Sequence, residues 1–360
     1  MLRRFLKELH WPLVLSALSL MIFGTLFIYS ASYHDSGHYL DRQLFWVSIA
    51  AGMMFVIPAM GYRAFLSMAN LLYVLAVIAL VLVLLVGQER LGAQRWIRIG
   101  PVIVQPSEFA KLATVLMLAN YLGSHQEWDK RGKVIFTAIT LGLIPVFLIM
   151  KQPDLGSSLL FLPMVMMLLY VWGLSYKSIL AAALSGIVAV PFLWLYLKPY
   201  QKRRILDFMD PSRDPLGSGY TAIQSKIAVG SGGFFGKGYL HGTQSQLQFV
   251  PEHHTDFIFC VIGEEAGYLG SVLLLFLYGW LFYAAFQIME KTTDIKAKLL
   301  ITGLITVLFF QVFINIGMSF GLMPITGITL PLVSYGGSSL IATTITIGLI
   351  LSVYKERSIF

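Results

Sequence analysis

The chain has 360 residues, is 57% hydrophobic and only 12% charged, and carries a formal net charge of +8. Soluble domains carry about 25% charged residues, so this balance, with a mean hydropathy of +0.75, excludes a soluble enzyme and marks an integral membrane protein. The excess of positive charge does not require nucleic acid, because loop bias and anionic lipid ligands account for it in a membrane protein.

Apolar runs of about 20 residues predict membrane helices near 12–31, 43–60, 68–87, 107–123, 134–150, 157–174, 178–197, 257–284, 299–320 and 331–354. The expected fold is therefore all-α, a single polytopic membrane domain over 1–360 with about ten transmembrane helices. The first run has no A-x-A cleavage pattern and is expected to stay as a span. Cys260, the single cysteine, excludes an intrachain disulfide.

With the N-terminus inside, the inner segments hold thirteen basic residues: Arg3, Arg4, Lys7, Arg63, Lys130, Arg131, Lys133, Lys177, Lys291, Lys296, Lys298, Lys355 and Arg357. The short outer loops hold five: Arg42, Arg90, Arg95, Arg98 and Lys151. The positive-inside rule then places both termini in the cytoplasm and the long loop 198–256, between spans seven and eight, outside. Segments 88–106 and 198–256 are too rich to be plain connectors. Apolar residues spaced through 219-GYTAIQSKIAVGSGG-233 predict an amphipathic helix lying on the membrane.

The glycine-rich run 230-GSGGFFGKGYLHG-242 fails the phosphate-loop spacing, because Ser231 and Gly238 stand where glycine and Ser/Thr are needed. It reads either as a turn-rich loop or as backbone that approaches a diphosphate. Glu108 and Lys111, at i and i+3 in the fourth span, share a face; they are either a structural ion pair or groups lining a pathway. Trp96, between Arg95 and Arg98, is either an interfacial anchor or a sugar-and-phosphate contact. Asp154 reads as a helix N-cap, and Glu264 and Glu265 as buried structural braces.

In 250-VPEHHTDFIFCVIGEE-265 the chain turns from polar to apolar at Phe257. Asp256, on that border, is either the cap of the eighth span or a partly desolvated general base with a raised pKa. A metal site from Glu252, His253, His254 and Asp256 is disfavoured, because adjacent histidines on a short run rarely converge.

The blocks 93-AQRW-96, 105-QPSEFAK-111, 152-QPDLG-156, 224-QSKIAVGSGG-233, 236-GKGYLHGTQSQ-246 and 251-PEHHTDFIF-259, and the terminal run from Asn315 through 321-GLMPITGITLPLVSYGGSS-339, resemble the SEDS family of shape, elongation, division and sporulation proteins over essentially the whole chain. Its elongation branch, RodA, is closer than its division branch, FtsW. The resemblance implies a peptidoglycan glycosyltransferase of the cytoplasmic membrane that polymerises lipid II. It further implies a class B penicillin-binding protein transpeptidase and the elongation machinery as partners, and no nucleic acid.

Under that resemblance Asp256 is the essential aspartate, and Trp96, Glu108 and Lys111 take the family's tryptophan and ion pair. Arg95, Lys111, Arg42 and Arg204 are candidates to hold diphosphates. Gln201, Lys226, Thr255 and Ser334 complete the expected substrate-binding set. No cofactor is required, because the donor is already activated; a divalent cation bridging the diphosphates would at most assist, and no metal ligand is assigned. The rival readings are a lipid II flippase and a non-catalytic scaffold that activates the penicillin-binding partner. A flippase has no need of a carboxylate confined to the outer face.

Overall fold

The computed structural model describes residues 7–33, 38–90, 93–100, 102–126, 130–196, 202, 206, 208–215, 217 and 219–357. The chain runs through α1 (Trp11–Ala31), α2 (His38–Met60), α3 (Tyr62–Ser67) and α4 (Ala69–Val86) into three strands, β1 (Gln88–Arg90), β2 (Ala93–Ile99) and β3 (Val102–Val104). It continues through α5 (Pro106–Ser124), α6 (Arg131–Lys151), α7 (Leu155–Leu159), α8 (Phe161–Trp172) and α9 (Tyr176–Tyr196). After α10 (Tyr220–Ser231), α11 (Thr243–Gln246) and α12 (Ile258–Glu265) come the long helices α13 (Gly267–Glu290), α14 (Ile295–Ser319) and α15 (Gly337–Arg357).

Eight helices among the described residues are long and apolar enough to cross a membrane. The two other predicted spans are also helical, as α5 and α9, but α5 carries Glu108 and Lys111 in its first half. Pro106 opens α5 where no amide donor is needed, and Glu108 in its first turn complements the helix dipole.

At the centre lies α14, buried along most of its circumference and packed against α5, α8 and α13. Its hydroxyls fold back onto the helix, Thr302 onto Lys298 O at 2.8 Å and Thr306 onto Thr302 O at 2.7 Å, so an apolar setting leaves them satisfied. The most extensive helix pairing is α15 along α2. It is close because Gly348 has no side chain; a Cβ there would come within 2.7 Å of Ile57 Cβ.

Segment 88–104 is not helical. Its strands form an antiparallel β1-β2-β3 sheet, with Ile97 opposite Val104 and Ile99 opposite Val102 across a tight turn at Gly100, φ +61°. The expected amphipathic helix at 219–233 forms as α10, and its buried face (Ala222, Ser225, Ala228) packs on α12 and α14.

The predicted single span 257–284 is broken between α12 and α13. At the break Gly267 has φ +62°, and the glycine-rich loop closes over the freed backbone: Lys237 N and Gly238 N donate to Glu264 O and Glu265 O at 3.0 and 3.1 Å, while Gly233 O accepts from Tyr268 N at 3.0 Å. The glycines of this run thus serve close backbone packing, which satisfies a broken helix from inside the protein.

Both glutamates brace that junction. Glu264 accepts from Lys237 Nζ at 2.7 Å and from Gln244 N and Ser245 N at 2.8 and 3.0 Å; Glu265 accepts from Ser30 Oγ on α1 at 2.6 Å. Because Glu264 is completely buried, Glu264→Ala strands Lys237 and two backbone amides. The expected loss is about 3 kcal/mol, read as a lowered melting temperature in detergent, with Glu264→Gln losing less.

Candidate active site

Asp256 lies in the turn before α12, where the non-helical segments 250–257 and 321–336 meet the end of α14. It does not cap the helix. The N-cap residue of α12 is Phe257, and no side chain bonds to that helix end. Among the described residues the Asp256 carboxylate has no hydrogen-bond donor, and it is part-exposed. Burial, with Glu252 adding to it, pushes the carboxyl up to about 7 against the opposing pull of Arg95.

The backbone around Asp256 is held from α14 and the terminal signature. Asn315 Nδ2 donates to Asp256 O at 2.8 Å and to Ile328 O at 2.6 Å. Ser334 Oγ donates to Thr255 O at 2.6 Å while accepting from Leu330 N at 2.8 Å, and Tyr335 N donates to His254 O at 3.1 Å. One turn back on α14, Gln311 accepts from Lys111 Nζ at 3.3 Å and reaches Thr329 O at 3.5 Å. The Glu108–Lys111 pair, 2.8 Å apart and buried, is therefore tied to the segment that carries Ile328.

Arg95 approaches from β2. Its Nη2 donates to Pro153 O at 2.5 Å and its Nη1 lies 3.6 Å from Asp154 Oδ1; Arg95 and Asp154 are both buried. Asp154 does cap α7, accepting from Ser157 N at 3.2 Å, but its second oxygen is buried without a donor, and so is Arg95 Nε without an acceptor. Gly327 joins the two halves: a Cβ built on it would stand 3.4 Å from Asp256 Oδ2 and 3.5 Å from Arg95 Nη1.

The two histidines diverge. His253 is buried with its ring nitrogens facing Val250 O and Ala31 O, and the His254 ring packs on Tyr39 and Tyr335. Among the described residues no group of three His, Cys, Asp or Glu could hold a metal ion.

A family model, FTSW_RODA_SPOVE, described as cell cycle protein, matches residues 10–359. The chain belongs to this family. It is 40% identical over 346 residues to the peptidoglycan glycosyltransferase MrdB of Escherichia coli K12, covering 96% of this chain and 93% of that protein. A chain of a peptidoglycan synthase complex that coordinates polymerization and crosslinking superposes with a TM-score of 0.84 at 35% identity, covering 96% and 98%. The rod shape determining protein RodA of Thermus thermophilus superposes with a TM-score of 0.73 at 32% identity, covering 96% and 97%.

Of the expected site residues, the structure brings Arg95, Thr255 and Ser334 to Asp256 and links Glu108 and Lys111 to it through Gln311. Trp96 points to the opposite face of β2 from Arg95, opposite Gln88. Arg42 is exposed on α2, one turn after Tyr39. Lys226 sets its side chain against Gly321, just past the end of α14. Gln201 and Arg204 lie outside the described residues.

Three participants are absent from the expected site set. Gln311 is a plain span residue whose signal is polar spacing with Asn315 at i and i+4; Asn315 and Gly327 fall within the terminal motif, where nothing local marks them as site residues. Asn315→Leu leaves two backbone carbonyls without their donor, at about 1–3 kcal/mol each. The expected result is a folded protein with a lowered melting temperature and faster hydrogen exchange across 252–257 and 326–330.

Proposed function

We propose that the protein is a peptidoglycan glycosyltransferase that polymerises lipid II into β-1,4-linked glycan at the outer face of the cytoplasmic membrane during cell elongation. The observation that carries this reading is the Asp256 carboxylate, left without a donor and raised toward neutral pH, beside a guanidinium that is fixed from behind. Such a group is suited to accept a proton. The name and coverage of the Escherichia coli relative support the same reaction.

In this mechanism Asp256 accepts the proton of the acceptor's 4-hydroxyl. The oxygen attacks the donor's anomeric carbon as the bond to the lipid diphosphate breaks, and the diphosphate leaves with the electron pair. Attack opposite the leaving group converts an α-linked donor into a β-linkage. Glu108 neutralises Lys111, so that pair acts by holding the 328–330 backbone, and diphosphate charge falls to Arg42 and Arg204. The donor is already activated, so no resident cofactor is needed; a divalent cation bridging the diphosphates would ease departure of the leaving group.

The bias of basic residues toward one side supports the outward face. The segments assigned inside meet at one end, where Arg63 pairs with Glu356 at 3.4 Å and Tyr62 bonds Asp294 at 2.8 Å, far along the bundle from Asp256. The partner is a class B penicillin-binding protein; the similarity to a chain of a peptidoglycan synthase complex supports it.

The test is polymerisation of labelled lipid II by purified protein, alone and with that partner. Wild type should make glycan, and Asp256→Asn, with matched melting, should lose at least 100-fold, in line with the loss of a general base. Polymer from both would remove Asp256 from the chemistry; lipid II crossing liposomes without polymer would favour the flippase. A carboxylate titrating at about 7 must be ionised to work, so wild-type activity should rise with pH up to about 7 and level off above it. An activity that is flat between pH 5 and 8 would sink the assignment.

A further inference from the structure

Among the described residues, Gly327 is the one glycine that faces both charged groups of the site. It lies in the non-helical segment between α14 and α15, in the left-handed region at φ +72°. The neighbouring residues pin it from two directions. Ile328 O is held by Asn315 at 2.6 Å, and Thr326 packs on Gly156, where a Cβ would come 2.7 Å from the Thr326 backbone oxygen. Its position is therefore fixed relative to α14 on one side and α7 on the other.

Apart from its own chain neighbours, the protein atoms nearest to a Cβ built on Gly327 are Asp256 Oδ2 and Arg95 Nη1, both at van der Waals distance. Gly327 and Asp256 are both part-exposed, so a ligand can reach this point. Arg95 cannot retreat from it, because its other terminal nitrogen is anchored on Pro153 O and Asp154 lies behind.

We propose that the face of Gly327 is the seat of the acceptor hydroxyl, and that Gly327 is a positioning residue for the transfer. This rests on the glycosyltransferase reading above. An oxygen in van der Waals contact with the Gly327 α-carbon stands beyond the place a Cβ would take, in the space that Asp256 Oδ2 and Arg95 Nη1 border. Its proton passes to Asp256 Oδ2, and Arg95 Nη1 donates to the oxygen as it gains negative charge. The same oxygen forms the new bond to the anomeric carbon while the carbon–diphosphate bond breaks. A seat bounded by backbone on one side admits one oxygen and holds it in line for attack, which is what proximity catalysis requires. A methyl group at Gly327 would occupy that volume.

Gly327→Ala and Gly327→Asn test this together. Alanine fills the seat but strains the left-handed backbone; asparagine tolerates that conformation and still fills the seat. Each variant is assayed for lipid II polymerisation, for binding of labelled lipid II in detergent, and for thermal melting, beside wild type and Asp256→Asn. The expected result is that Gly327→Asn melts within a few degrees of wild type, binds lipid II within about threefold, and loses polymerisation at least 100-fold. Polymerisation above one tenth of wild type by Gly327→Asn overturns the proposal, and so does failure of both variants to fold, since Gly327 then serves only the turn. Loss of lipid II binding in step with loss of activity also overturns it. If wild type makes no polymer, the functional reading itself fails, and the two failures are thereby distinguished.

Discussion

The structure around Asp256 depends on one amide. Asn315, near the C-terminal end of the buried helix α14, donates to the backbone of two non-helical segments at once, Asp256 O and Ile328 O. A membrane protein has no water in its apolar interior to satisfy irregular backbone, so such segments survive only where the protein supplies the partners. Asn315 supplies them here, with Gln311 one turn below and Ser334 opposite. Without these donors the segment carrying Asp256 and the segment carrying Gly327 would have no shared reference, and the carboxylate and guanidinium would have no fixed separation.

The same constraint shapes the break between α12 and α13. A continuous span would have satisfied its own backbone, and the chain instead interrupts it and closes the gap with the glycine-rich loop and two buried glutamates. The interruption lets α12 lie against α10 and α14, which sets the direction in which the Asp256 turn enters the site. The charged groups of this protein play two parts. Glu264, Glu265 and the Glu108–Lys111 pair each have protein partners and hold structure. Asp256 Oδ2 and Arg95 Nη1 face the same space at Gly327, and behind them Arg95 Nε and Asp154 Oδ2 are buried without a partner. Unsatisfied buried groups cost stability, so a ligand that completes the bonding here would offset that cost.

Legibility in the sequence followed the range of the interactions. Spans were visible because each is a local run of apolar residues, and α10 because its spacing is local too. The strands of 88–104 were written in the alternation of 97-IRI-99 and the β-branched 102-VIV-104, yet in a chain so apolar they were read as a loop between spans. Asp154 is legible as a cap, which it is, but nothing local indicates that its capping oxygen also faces Arg95, 59 positions earlier.

The sequence by itself determined that the chain is a many-span membrane protein of a peptidoglycan-synthesis family, with Asp256 standing at a polar border. Composition, apolar run length and ordered motifs are properties of the chain alone, so they survive without coordinates. Only the tertiary structure decided that Asp256 does not cap its helix, that Lys111 bonds both Glu108 and Gln311, and that Gly327 faces both Asp256 and Arg95. Those facts depend on contacts between residues dozens to hundreds of positions apart. They are set by how α14 packs and by which donors reach the broken backbone, and no local pattern encodes either.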